Sequence, residues 1–265
     1  MYSRWQLFKK YSSYYITALN GKGHGIHSPF VYDLVRQVLI DKRNFYAYNQ
    51  VEALRRKLLR DNTLIEVEDF GAGSTINKTN QRTISSIAQH SAKSKKWAQL
   101  LFRIVNYYQP KNILELGTSL GISTAYMSLA NPKARLVTAE GSAAVAAQAR
   151  RNFQSLQLAN IQQVIGNFDD TLPGILDTAS PLDLVFIDGN HRYEPTVRYF
   201  NQLLPHLNAT SVVIFDDIHW SLEMEQAWAA IKEHPSVQLS VDLFFIGLVF
   251  FNDQFKIKQH FTIRY

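Results

Sequence analysis

The chain has 265 residues, 46% of them apolar, with a formal net charge of +6. That composition excludes a disordered chain and allows one large α/β domain with an extra lobe, or two small domains. The absence of cysteine excludes disulfides and thiolate metal sites and fits a reducing cytoplasm.

The charge is uneven. Residues 1–111 carry 18 Lys/Arg against 7 Asp/Glu, whereas 112–265 carry 10 against 15. A basic front half attracts anionic partners such as RNA, and the plainer reading is a set of solvated helix faces. Residues 1–20 hold Arg4, Lys9 and Lys10 but no apolar core of signal-peptide length. The longest apolar stretch, "FFIGLVFF" at 244–251, is too short to span a bilayer as a helix.

Residues 1–60 read as mostly helical. In "HSPFVYDLVRQVLI", Ser28 is an N-cap candidate with Pro29 at the first helical position, and apolar residues recur at 31, 34, 35, 38 and 39. "VEALRRKLLR" is a second amphipathic piece. "EDFGAGST" at 68–75 reads as a glycine turn, because the polar stretch after it leads to no strand with a terminal acid. The spacing over 82–108 predicts one long helix, stopped by Pro110. These features mark 1–81 as a basic, mostly helical extension and 82–265 as the main domain.

From residue 111 short apolar runs alternate with helical stripes: "NILELG", "ISTAYMSLA", "RLVTAE", "AAVAAQARRNFQSL", "IQQVIG", "LDLVFIDG", a helix over 194–204, "SVVIFDD" and a helix over 221–233. Such alternation predicts βαβ units and a parallel sheet covered on both faces. "VQLSVDLFF" and "IGLVFFN" leave no room for a crossover helix, so that pair should be antiparallel.

The turn after the first strand of such a sheet receives a nucleotide, and an acid ending the second strand accepts from ribose hydroxyls. "ILELGTSLGIST" meets these conditions and is followed by a strand ending in Glu140. Gly117 and Gly121 are four apart, with serine at 119, unlike the closely spaced glycines that admit a pyrophosphate. With Glu115 before the first glycine, the loop suits a ligand bearing a cation and no phosphate, such as S-adenosylmethionine (SAM).

Here the sequence resembles the class I SAM-dependent methyltransferases over roughly 95–252. "LELGTSLG" looks like their first motif, "TAEGS" like the ribose-holding segment and "GNFDD" like the adenine-facing loop. "AQLLFRIVNYYQPKNILELGTSLGIST" is similar to the metal-dependent catechol and caffeoyl-CoA O-methyltransferases. The resemblance implies a Rossmann-like seven-stranded sheet with an antiparallel last strand. It assigns SAM to Glu115, Gly117, Thr118, Ser119, Gly121, Ser123, Glu140, Asn167, Phe168, Asp169 and Asp188.

"VFIDGNHRYE" and "VIFDDIHWS" follow the fourth and fifth strands, so Asp188, His191, Asp216, Asp217 and His219 should reach one sheet edge. Carboxylates without thiolates suit a hard ion such as Mg²⁺. The resemblance implies Asp188, Asp216 and Asp217 as metal ligands, with Asp188 and His191 catalytic; its Asp-x-x-His matches the macrolide-sugar branch, where histidine is the base. The plain alternatives are helix capping for the acids and a structural role for His219. His24 and His27 read either as a lid or, preferably, as anchors of the extension. The implied partner is a small hydroxylated acceptor in the cytoplasm, with nucleic acid as the second reading and a homodimer left open.

Overall fold

The computed structural model describes residues 1–68, 80–179 and 181–265. The glycine turn expected at 68–75 therefore lies, Glu68 apart, outside the described residues. In chain order the elements begin with α1 (Arg4–Thr17), α2 (Pro29–Leu34), α3 (Tyr46–Leu58), β1 (Leu64–Glu66), β2 (Gln81–Thr83), α4 (Ile84–His90) and α5 (Lys95–Tyr108). There follow β3 (Asn112–Leu116), α6 (Ile122–Ala130), β4 (Arg135–Glu140), α7 (Ala143–Ser155), β5 (Ile161–Ile165) and α8 (Phe168–Asp177). The last third holds β6 (Leu182–Ile187), α9 (Tyr193–Leu203), β7 (Leu207–Asp216), α10 (Leu222–Glu233), β8 (Leu239–Asp242), β9 (Ile246–Phe250) and β10 (Gln259–Thr262).

The chain forms two compact units, one of residues 1–41 with 179–265 and one of 42–178. The extension expected over 1–81 was a division by pattern and charge. Its first 41 residues fold into the same unit as 179–265.

In the 42–178 unit, β3, β4 and β5 run parallel in that order, Leu114 opposite Val137 and Val137 opposite Gln162. Their crossovers are α6 and α7. Leu114, Leu116, Leu136, Ala139 and Tyr126 are wholly buried, as a doubly covered parallel sheet demands. The single helix expected over 82–108 is instead a strand and two helices. Thr83 caps α4, its side chain accepting from Ser86 N, and Ser94 supplies an extended N-cap for α5. The apolar spacing ran through both helices because each shows its stripe to one core. Gln109, at φ 49°, ends α5 just before Pro110.

In the other unit the strand order is β10-β8-β9-β7-β6. β6 and β7 are parallel, whereas β9 is antiparallel to both β7 and β8. The antiparallel ending expected from the short 243–245 connection is therefore present. The count differs: the main sheet has eight strands, because β10 pairs parallel with β8 beyond the seven expected. Its four residues carry only Phe261 as an apolar marker, too few to announce a strand. Leu19 bridges to Ile263 and continues this edge. Gly247 lets Trp228 of α10 lie on β9, since a Cβ there would sit 2.7 Å from the indole.

α1 is held by its own polar and aromatic groups. Ser3 and Gln6 form a reciprocal capping box. Tyr14 donates to Ile263 O and accepts from Tyr265 N, while Tyr11 and Tyr14 pack on Phe244.

Candidate functional site

The loop between β3 and α6 is built on three left-handed residues: Gly117 (φ 110°), Ser119 (φ 48°) and Gly121 (φ 78°). Gly117 N and Thr118 N donate to Ala139 O, which ties the loop to β4. Glu140, ending β4, accepts from Ser119 N at 2.8 Å and from Ser142 N at 3.0 Å. One carboxylate thus fixes both the apex of the loop and the entry to α7. Gly121 has a steric reason as well, because a Cβ there would lie 2.3 Å from the Phe153 ring of α7. Asn152 of α7 donates to Leu120 O.

Glu115 is completely buried. Ser123, Thr124 and Thr138 donate their hydroxyls to it at 2.6, 2.5 and 2.7 Å. Burial pushes its carboxyl up to about 7, although the three hydroxyls pull the other way; the charge of Glu140 adds to the rise. Thr118 is buried, with its hydroxyl 2.6 Å from that of Thr138. Thr118 and Ser123 therefore face the polar interior around Glu115. Ser119 Oγ is buried and has no hydrogen-bond partner, an orphaned donor at the apex of the loop.

Asn167 caps α8, accepting from Asp169 N at 3.2 Å. The segment expected to be a loop after the third strand is thus helical from Phe168 on. Phe168 is half-buried and Asp169 exposed. Gly166 N donates to Glu140 O, which places the end of β5 beside the end of β4. No Lys or Arg occurs between 112 and 132, so the loop brings no cation to a phosphate. Its orphaned hydroxyl and acidic strand end fit a neutral or cationic nucleoside.

The acidic residues lie in the other unit. Asp188 follows β6 and Asp216 ends β7, parallel neighbours. Asp188, His191 and the buried Asp216 each offer one ligand atom, all within 4.8 Å of one another. His191 Nε2 lies 3.7 Å from Asp188 Oδ1, an ion-pair distance beyond hydrogen-bond length. The His191 ring meets Trp220 edge-on, centroids 5.8 Å apart. Asp217 is outside this group. It takes a left-handed turn (φ 53°) and its carbonyl accepts from Trp220 N. Arg192 turns its Nε to Asn190 Oδ1 at 3.1 Å.

His219 has a different place. Its Nδ1 is 3.1 Å from Glu225 and its Nε2 2.8 Å from Asp242, with the ring stacked on Phe244. Burial works against its charge, yet the bonds and charges of Asp242 and Glu225 prevail and raise its pKa. Glu225 also accepts from Tyr2 and Lys10, and Tyr2 N donates to Trp220 O. The network pins α1 to the loop that follows β7. Thr124, Thr138, Asn152, Glu225 and Asp242 also build these sites, and their partners, 6 to 223 residues away, leave no periodic signal in the sequence.

Two carboxylates and an imidazole form an oxygen-and-nitrogen donor set. That chemistry suits a hard or borderline divalent ion. The same set can orient an imidazole as a base.

Residues 114–218 match a protein family described as a methyltransferase domain. A catechol O-methyltransferase from Niastella koreensis is 36% identical over 126 residues, 46% of this chain. The chain spans 55% of that enzyme's length, about half. Among solved structures, an O-methyltransferase from Bacillus cereus in complex with SAH has a TM-score of 0.57 at 20% identity, covering 83% of this chain and 96% of that one. The O-methyltransferase TomG from Streptomyces achromogenes, in complex with SAM, has a TM-score of 0.55 at 20% identity, covering 84% and 96%. Residues 114–218 are thus similar to a methyltransferase domain, and the chain shares the Rossmann-like fold of these solved structures.

Proposed function

We propose that the protein is a SAM-dependent methyltransferase that methylates the hydroxyl of a small acceptor. The observation that carries this reading is the Glu140 carboxylate bonded to the apex of the 117–121 loop, in a segment that matches a methyltransferase domain. In this reading the 117–121 loop takes the methionine part of SAM, with Glu115 behind it. Glu140 accepts from the ribose hydroxyls, and Asn167, Phe168 and Asp169 lie by the adenine.

Methyl transfer is an in-line displacement, and the acceptor hydroxyl loses a proton as it attacks. His191 takes that proton, since an imidazole is a base suited to neutral pH. Asp188 orients the ring. Asp188 and Asp216 would hold a divalent ion such as Mg²⁺, with Asp217 adjacent in sequence but outside their group. Such an ion would lower the pKa of the acceptor hydroxyl.

Calorimetry with SAM and turnover of a catechol-type acceptor test the proposal together. SAM should bind, and Gly117→Val should abolish binding because a branched side chain fills the ligand's space. His191→Ala should lower kcat by about 10²–10⁴-fold with SAM affinity nearly intact. Normal SAM binding by Gly117→Val sinks the loop assignment, and full turnover in EDTA removes the metal.

A further inference from the structure

α1 has two apolar faces. The inner one, with Tyr11, Tyr14 and Ala18, packs on Phe244. The outer one is in solvent: Trp5 is 62% exposed, Phe8 59% and Ile16 77%, with Tyr15 and Met1 about half exposed. At 100° per residue, Trp5, Phe8, Ser12, Tyr15 and Ile16 fall in an arc of about 100°. Arg4 borders the arc on one side and Lys9 on the other. Lys9 already lies over the Trp5 ring, whose plane stacks on Phe8. The helix contains no Asp or Glu.

A helix apolar on both faces belongs under cover, and large apolar side chains grouped in one stripe mark an interaction surface. The charges choose the occupant. Two copies of this stripe laid together would set Arg4 and Lys9 of one against those of the other, with no acid on the helix to receive them. An anionic lipid surface neutralises both. It also suits the aromatic rings, which settle at headgroup level, and the basic stems, which reach back to phosphates. The helix spans about 21 Å, so it lies in the interface rather than across it.

We propose that the outer face of α1 seats in the headgroup layer of an anionic lipid surface. The proposal is independent of the methyl-transfer reading. The binding is reversible, because one short stripe with two basic edges is a weak anchor. Tyr2, two residues before the anchored helix, donates its N–H to Trp220 O.

The test is flotation of the full chain with phosphatidylcholine vesicles, and with vesicles containing about a third phosphatidylglycerol as the anionic surface. Protein should float with the anionic vesicles at low salt, be largely released at about 0.5 M salt, and ignore the neutral ones. Phe8→Ser with Ile16→Ser should lower the partition coefficient at least about tenfold, and Arg4→Glu with Lys9→Glu should abolish the preference for anionic lipid. All four side chains are on the outer face, so the fold should be kept, as circular dichroism would report. Absence of binding at low salt, equal binding to neutral vesicles, or no effect of either double variant overturns the proposal. A concentration-dependent dimer lost in the Phe8/Ile16 variant would overturn it too, in favour of a second copy.

Discussion

Glu115→Gln isolates the most perturbed group of the loop. In the folded chain the Glu115 carboxyl is pushed up to about 7 by burial, against an ordinary value of 4.5. Below pH 4.5 it is protonated in both states and costs nothing. Between pH 4.5 and 7 the unfolded chain releases the proton while the folded chain keeps it. Each unit of difference is worth about 1.4 kcal/mol, so about 3 kcal/mol of stability is lost across that window, and nothing further above it. Glutamine does not titrate. The stability of wild type minus that of the variant should therefore fall by about 3 kcal/mol from pH 4.5 to 7 and then level. Urea unfolding of both proteins at closely spaced pH values gives this difference, in which all other titrating groups cancel. A flat difference refutes the buried, uncharged carboxyl. A difference that rises with pH would mean that the hydroxyls of Ser123, Thr124 and Thr138 outweigh burial. Saturating SAM should shift the window to lower pH if its ammonium group approaches this carboxyl.

Gly121→Ala meets the Phe153 ring and also a positive φ, and should cost about 2–4 kcal/mol by thermal or urea unfolding. Phe153→Leu in the same chain should return part of that loss; no recovery would place the cause in the backbone. Asn167→Ala removes the cap of α8 and should cost about 1 kcal/mol. Its effect on SAM affinity, by calorimetry, separates capping from contact with adenine: a pure cap leaves the affinity nearly unchanged. Glu225→Ala takes the acceptor from Tyr2, Lys10 and His219 together. The site is partly exposed, so a loss of about 1–2 kcal/mol is expected. Hydrogen exchange should quicken over residues 4–17, and unchanged exchange there would remove the network as the anchor of α1.

Apart from α8, the order of strands and helices from 111 to 250 was legible in the sequence, because strands covered on both faces read as unbroken apolar runs and helices repeat a core-facing side every 3.6 residues. "ILELGTSLGIST" was equally plain: a strand, positions that tolerate positive φ, and an acid at the next strand end are local features. The split of 82–108 was not. Its apolar spacing is in step on both sides of Ser91–Ser94, and only the C-cap at Ser91 and the N-cap at Ser94 end one helix and begin the next. β10 was missed because a four-residue strand exists through its partner β8 and has too few residues to show a period. Long-range contacts decided the rest. Glu115 is an acid before a glycine in the sequence, but its burial beneath Ser123, Thr124 and Thr138 is what raises its pKa. Asp188, His191 and Asp216 come together because β6 and β7 pair in parallel and end at one edge. Adjacent Asp217 leaves that group through a single left-handed turn. His219 lies as near in sequence to Asp216 as His191 does to Asp188, yet Glu225 and Asp242 claim both its nitrogens. Periodicity records which side of an element faces a core, whereas the partner of a polar side chain is set by chain segments that meet only on folding.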